Sequence, residues 1–412
     1  MSRVLIVGGG AAGLMAAWSA ATVGAEVTVL ERNQRPARKV MITGKGRCNV
    51  TNDTDLNGLI SAVTGNGRFL YSAFSNFTSQ DTMDFFENNG VPLKTERGNR
   101  VFPQSDKAID IVDALVKAAK HSGVRILQER VTAVSAENGA VTGVRCESGK
   151  RFDADSVIVA TGGLSYPLTG STGDGYDIAR ALGHTVTELR PSLVPLNVAE
   201  GWCSDVQGLS LKNIGFSVYR KNESKPVYTD FGELMFTHFG LSGPVVLSSS
   251  AYISDPKSME YKAVIDLKPV LSHEKLDERI IRDFEKYKNK DFINSLGDLL
   301  PRKLIPVVVR LSGIQPSAKV NQITREQRQH LAAVLKGLTL TVTGFRPIEE
   351  AIITKGGVAL SEVSPKTMES RLVSGLYFAG EVLDADAFTG GFNLQIAFST
   401  GYVAGTAAGN AY

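Results

Sequence analysis

The segment VLIVGGGAAG, residues 4–13, constrains this chain more than any other feature. It sets a G-x-G-x-x-G directly after an apolar run, 3–7, and at the head of an Ala- and Leu-rich stretch, 11–24. Each glycine has a mechanical role: Gly8 permits a tight turn, Gly10 lets the backbone approach a pyrophosphate, and Gly13 permits close packing of helix on strand. The pyrophosphate would rest on the helix N-terminus at Ala11 and Ala12, where unpaired N–H groups and the helix dipole favour negative charge. A second β-branched run, 26–30, ends at Glu31, where a carboxylate can accept from adenosine ribose hydroxyls. Strand, glycines, helix, strand and acid in register predict a βαβ unit that holds the ADP half of a dinucleotide.

That fingerprint does not separate FAD from NAD, because both present the same ADP half. The residues after the acid are informative. A nicotinamide-only domain proceeds straight into its next helix, whereas here ERNQRPARK (31–39) is succeeded by TGKGRCN (43–49). The pattern predicts a long basic loop along an extended anionic ligand, with Arg32, Arg38, Lys39 and Thr43 beside it. Gly44 and Gly46 would permit close backbone approach, Lys45 or Arg47 would offset charge, and Cys48 and Asn49 complete the loop.

At 412 residues the chain exceeds what one hydrophobic core organises, so two or three folding units are expected. Helical patterning over 79–89 and 107–121 is succeeded by strand patterning at 124–128, 131–136, 141–146 and 156–160. From about Pro191 the texture changes to alternation at Val194, Leu196 and Val198, with further strands around Phe216 and 264–267, which predicts a separate β unit over 191–271. Stretches 272–286 and 325–335 are helical, with Pro301, Pro306 and Pro316 between them, so 272–345 is expected to be mainly helical. Buried-strand texture returns at 376–379, and 391–409 is an Ala-rich helix. The first domain is therefore discontinuous, 1–190 with 346–412.

Lys and Arg number 45 against 42 Asp and Glu, a net +3, which argues against nucleic acid or membrane as a partner and for a small-molecule substrate. No run approaches the roughly 20 apolar residues of a membrane span. Cys48, Cys146 and Cys203 are odd in number and widely spaced, so neither a disulfide framework nor a metal site is expected, and a reducing, cytoplasmic compartment fits.

The chain resembles the BaiN/YhiN-type FAD-binding flavoproteins, which include enzymes described as aminoacetone oxidases and bile-acid reductases. The resemblance is carried by GKGRCNVTN (44–52), RVFP (100–103), ATGGLSY (160–166), GELMFTHFGLSGP (232–244), YFAGEVLD (377–384) and TGGFNLQIA (389–397). It implies an α/β fold: a discontinuous Rossmann-type FAD-binding domain with an inserted β-barrel-like unit and a small helical subdomain. It further implies non-covalent FAD, with Val131, Ala160, Thr161 and Gly162 on the adenine side. Gly380 and Glu381 would meet the ribitol, and Gly390, Gly391, Phe392, Asn393 and Leu394 would open a second helix toward the flavin ring. Glu381 stands where many flavoproteins have Asp.

No C-x-x-C accompanies the flavin, so dithiol relay lacks its reactive pair. No second strand-linked G-x-G-x-x-G occurs, since GSTGDG (170–175) has the wrong order, and NAD(P)H, if it is the donor, must dock without a Rossmann domain of its own. Cys48 reads as a packing residue rather than a redox centre. His238 and Tyr166 lie in Gly-rich motifs and are the candidates for polarising a carbonyl or donating a proton beside hydride transfer; His238 reads equally well as structural. The leading expectation is NAD(P)H-driven reduction of a C=C bond conjugated to a carbonyl, with a steroid- or bile-acid-like 3-oxo enone implied by the resemblance. Two alternatives stand beside it. One is an aminoacetone-type amine oxidase. The other is a flavin-containing RNA-associated protein, suggested by Arg302, Lys303, Arg310, Arg325 and Arg328, although such scattered charges more often mark a solvated face.

Overall fold

Four short runs in which almost every side chain is buried form the middle of one parallel sheet, because a strand covered on both faces has no solvent side to mark with polar residues. The computed structural model describes residues 2–254, 256–258 and 260–411. Its chain divides into two units, one made of residues up to Ser192 and from Pro347 onward, the other Leu193–Arg346.

In the first unit, β1 (Arg3–Val7) pairs in parallel with β2 (Glu26–Glu31) on one side and with β4 (Ser156–Val159) on the other. The edges are β3 (Arg125–Gln128) beyond β2 and β5 (Leu376–Phe378) beyond β4, giving the order β5-β4-β1-β2-β3. The chain runs outward from β1 through β2 to β3 and then returns to the opposite side of β1. That reversal opens a crevice beyond the carboxyl ends of β1 and β4.

Two helices aim their N-termini at that crevice. Helix α1 (Ala11–Thr22) follows β1, and α5 (Phe392–Gly409) closes the chain. Between them come α2 (Arg38–Ile42), α3 (Ala108–His121) and α4 (Asp174–Ala181). Gly401, Gly405 and Gly409, spaced four apart and so on one face of α5, lie against Ala12, Ala16 and Ala20 of α1. A Cβ at Gly409 would fall 3.0 Å from the Ala20 carbonyl, and one at Gly401 or Gly405 would collide with the carbonyl of Ala12 or Ala16. The contacts advance in the same direction along both helices, so α1 and α5 are parallel and both begin at the same end of the unit.

The second unit is a closed six-stranded barrel of Leu196–Val198, Gly240–Ser242, Pro226–Thr237, Ser210–Arg220, Tyr261–Asp266 and Leu338–Phe345, in that order around the wall. Phe216, Phe236, Leu241, Ile265 and Leu340 fill its core. Helices His273–Lys286, Ile305–Ser312 and Arg325–Lys336 are threaded between the last two barrel strands in sequence. The range expected to be mainly helical, 272–345, thus ends in a strand: LTLTVTGF alternates buried and partly exposed positions, and it closes the barrel against Tyr261–Asp266 and Leu196–Val198. Among the described residues no helix is long and apolar enough to cross a membrane.

Candidate cofactor cavity

The crevice beyond β1 and β4 is lined first by backbone. Gly8 has φ 100°, and a Cβ there would lie 2.7 Å from the carbonyl of Ala160, the residue that leaves β4, so only glycine allows the two strand exits to meet. Gly10 caps α1 without a side chain, and no atom lies within 4 Å of where its Cβ would be. Gly8, Gly10, Ala11 and Ala12 line the cavity, which leaves first-turn amides of α1 available to a phosphate. Gly13 does not line it: its missing Cβ would collide with the Gly8 carbonyl, so its role is packing.

Glu31 is buried at the end of β2, and its carboxylate ties the loops together. Oε2 accepts from Gly9 N at 2.7 Å, while Oε1 accepts from Asn33 N and Nδ2 at 2.8 and 2.7 Å. Glu31, Arg32, Val131, Ala160, Thr161 and Gly162 all line the cavity here, joined by Arg130 and Asp174. Arg130 Nε donates to Asp174 at 3.0 Å and Arg32 Nη1 reaches the same carboxylate at 3.4 Å. Burial raises the Asp174 pKa, but hydrogen bonds from Arg130 and Thr172 outweigh it and hold the carboxyl below its ordinary range.

The opposite end is built from pieces far apart in sequence. Lys39 and Thr43 come from α2 and the residue after it, Gly380 and Glu381 from the turn after β5, and Asn393 and Leu394 from the first turn of α5. Glu381 Oε2 accepts from Lys39 Nζ at 2.7 Å; Oε1 accepts from Ser165 Oγ and Thr354 N, each at 2.9 Å. Lys39 Nζ also lies 2.5 Å from Ser165 Oγ. The Asn393 side chain brackets Ala387, accepting from its N–H at 2.9 Å and donating to its carbonyl at 2.7 Å, which fixes the entry to α5. Gly391, φ 100°, caps that helix without a side chain. Two helix N-termini without side-chain caps at one cavity, with the carboxylates of Glu31 and Glu381 on its wall, fit a ligand that has a diphosphate and hydroxyls on both sides of it, as FAD does.

Eight further residues expected at the ligand stand off the cavity wall. After Thr43 the chain turns through left-handed Gly44 and Lys45 (φ 57° and 60°), which sends Arg47 outward to Glu96 and Asp106 and over the Phe102 ring, 4.1 Å from its centroid. Gly44, Gly46, Arg47, Cys48 and Asn49 therefore do not line the cavity, and the expected long loop contains α2. Cys48 is fully buried, and burial pushes its thiol up to about 12. Gly390, Gly391 and Phe392 do not line the cavity either, and a Cβ at Gly391 would strike the Thr51 carbonyl.

Tyr166 is left-handed (φ 53°) on a second groove beside the cavity. His238 is exposed at the turn between two barrel strands, its ring edge-on to Phe239. Asn33, Arg130, Asp174, Ser165 and Thr354 had no local signal. Arg130 meets Asp174 44 positions on, and Asn33, Asp174, Ser165 and Thr354 each have a partner more than a hundred residues away.

A family model described as HI0933-like protein Rossmann domain matches residues 2–407. The 3-dehydro-bile acid delta(4,6)-reductase of Clostridium scindens is 33% identical over 428 aligned positions, spanning 99% of this chain and 99% of that one. The ribosomal RNA dihydrouridine synthase of Escherichia coli is 30% identical over 403, spanning 97% of this chain and 96% of that one. Among solved structures, the 3-ketosteroid delta1-dehydrogenase from Sterolibacterium denitrificans aligns over 100% of both chains with a TM-score of 0.56 at 14% identity, which shows a shared fold.

Proposed function

The chain belongs to the HI0933-like family, FAD-dependent oxidoreductases built on a Rossmann domain, and from that premise we propose that it uses NAD(P)H to reduce a C=C bond conjugated to a carbonyl. The observation that carries this reading is what the two full-length relatives have in common by name. A 3-oxo group with double bonds at positions 4 and 6 is a conjugated enone, and dihydrouridine is uridine saturated at the ring double bond conjugated to a carbonyl. The molecules differ; the reacting group does not.

FAD, when bound, supplies the hydride. The chain's own residues supply position and charge. The α5 N-terminus at Asn393 and Leu394 favours negative charge at the flavin end, and the Lys39–Glu381 pair fixes the polar chain. Tyr166 is the proton donor in this reading: it stands on the groove that shares Arg38 and Thr169 with the cavity, and its phenol, raised by burial and then by the Glu350 carboxylate, carries its proton at neutral pH as any phenol does.

We take a 3-oxo enone of steroid or bile-acid type as the leading substrate, supported by the Clostridium scindens relative. A second reading, uridine within RNA, is supported by the Escherichia coli relative at nearly the same identity. The test is anaerobic. NADH or NADPH should bleach the flavin of the holoprotein, and a 3-oxo-4-ene steroid should restore its colour with formation of the saturated ketone. Recolouring by a uridine-containing ribosomal RNA fragment instead selects the second reading. Bleaching by aminoacetone but by neither nicotinamide nucleotide would overturn both.

A further inference from the structure

Beside the cofactor cavity the first unit carries a second groove, walled by α2 and the segment before it on one side and by the 166–169 turn on the other. Arg35 and Arg38 stand on the first wall, and Tyr166 and Leu168 on the second; Glu349 is the one carboxylate among the lining residues. We propose that this groove docks the pyridine dinucleotide that reduces the flavin, with its phosphates at Arg35 and Arg38 and its flat ring against Tyr166. The proposal rests on the NAD(P)H-driven reading above and locates the donor, for which the chain has no second Rossmann fingerprint.

Charge favours this occupant. Arg38 Nη1 spends one donor on Asn33 Oδ1 at 3.1 Å, and a guanidinium has five. Arg35 pairs with Asp113 at 3.3 Å, but the two side chains are 55% and 67% exposed, so the pair is worth little and yields readily to a phosphate. Two guanidiniums on one wall match a diphosphate or a 2′-phosphate, which accept bidentate hydrogen bonds.

Continuity with the cofactor cavity favours it too. Arg38 and Thr169 line both the groove and the cavity, so an occupant of one abuts an occupant of the other. The groove also has direction. Arg38 is tied to Asn33, and Asn33 Nδ2 donates to the Thr169 carbonyl and to Glu31, so that end borders Glu31. Tyr166 instead faces Lys39, whose Nζ lies 5.9 Å from the ring centroid, so that end borders the Glu381 side, toward the flavin.

Backbone strain points the same way. A left-handed aromatic residue is strained and persists only where neighbours impose it. Here Tyr166 N donates to the Glu349 carbonyl at 3.2 Å, and Thr169 Oγ1 donates to the Tyr166 carbonyl at 2.7 Å. The surroundings hold the Tyr166 ring where it walls the groove. Leu168, 88% exposed, gives the lip an apolar surface for the rest of the ring. In the transfer the dinucleotide ring loses a hydride and is oxidised, and FAD gains the same two electrons and one proton. The oxidised dinucleotide leaves before the enone enters, so Tyr166 walls the groove in one half-reaction and donates its proton in the other.

The experiment is stopped-flow anaerobic reduction of the holoprotein by NADPH and by NADH, in wild type, Arg35→Glu, Arg35→Lys and Leu168→Asp. Arg35→Glu should raise the half-saturating dinucleotide concentration about tenfold, equivalent to one lost charged contact. Flavin content, the limiting rate and reduction by dithionite should stay unchanged, and Arg35→Lys should recover most of the loss. A shift for NADPH alone places the 2′-phosphate at Arg35; a shift for both places the pyrophosphate there. An unchanged half-saturation in both Arg35→Glu and Leu168→Asp overturns the proposal while leaving the donor reading intact, as does a shift confined to the enone. If neither nucleotide bleaches the wild-type flavin, the donor reading fails and the proposal with it.

Discussion

Glu381 Oε2 accepts from the Lys39 ammonium at 2.7 Å across 342 positions of sequence, and the same carboxylate closes on Ser165 and the Thr354 amide through its other oxygen. Both side chains are mostly buried, so removing the cation leaves a carboxylate short of a charged partner at the cavity wall. Lys39→Met should weaken FAD binding by about tenfold to a hundredfold, the range of a charged hydrogen bond worth roughly 1.5–3 kcal/mol. Lys39→Arg should recover part of it. Fluorescence titration of the apoprotein with FAD measures both, and an unchanged dissociation constant in Lys39→Met would remove Lys39 from cofactor binding.

The α1–α5 contact has no room for a side chain at Gly405, where even a Cβ would strike Ser19 Oγ and the Ala16 carbonyl. Gly405→Val should cost about 3 kcal/mol, at the upper end of overpacking, because backbone rather than a flexible side chain must move. Splaying the two helices also separates their N-termini, so flavin content should fall with stability. Gly201→Ala, which meets open space, should stay within roughly 0.5 kcal/mol of wild type in urea unfolding.

His184 is buried, with Nδ1 3.1 Å from Glu362 and Nε2 2.8 Å from Ser370 Oγ. Burial lowers its pKa below the ordinary 6.5, although Glu362 pulls the other way. Its folded pKa is thus the lower one, so the unfolded chain takes up the proton first as pH falls. The stability this neutral histidine contributes is present above about 6.5 and declines below it, before the carboxylates begin to titrate. Urea midpoints should therefore drop between pH 6.5 and 5, and His184→Gln should flatten that slope. An identical slope in the variant would assign it to another group.

All three cysteines are free and buried. Burial pushes the thiols of Cys48 and Cys203 up to about 12 and raises that of Cys146. Reaction with iodoacetamide at pH 8 should be slow until the chain is unfolded, because the thiolate is the nucleophile. Cys48→Ala should retain FAD. Loss of flavin colour in that variant, with the fold intact, would place Cys48 at the cofactor.

Where the cavity wall is backbone next to a glycine, local sequence marks the residues that form it. Gly8, Gly10, Ala11, Ala12 and Glu31 belong to one βαβ unit whose geometry comes from strand and helix periods, and all five line the cavity. The basic loop was legible only in its first part: Arg32, Arg38, Lys39 and Thr43 line the cavity, while the residues after Thr43 turn away. Arg47 and Lys45 have the charge a diphosphate wants, but two left-handed residues redirect the chain and acidic partners at Glu96 and Asp106 take the guanidinium. A loop's composition states its charge; its φ angles decide where the charge points.

By itself, then, the sequence determined the βαβ nucleotide unit and the presence of an insertion, because periodicity and glycine spacing are properties of neighbours along the chain. The barrel closed by Leu338–Phe345, the parallel seating of α5 on α1, and the joining of Lys39, Ser165, Thr354 and Glu381 were decided only by tertiary structure. These are contacts between segments separated by up to several hundred residues. No local signal encodes them, since their free energy comes from burying surfaces that meet only after the sheet has formed.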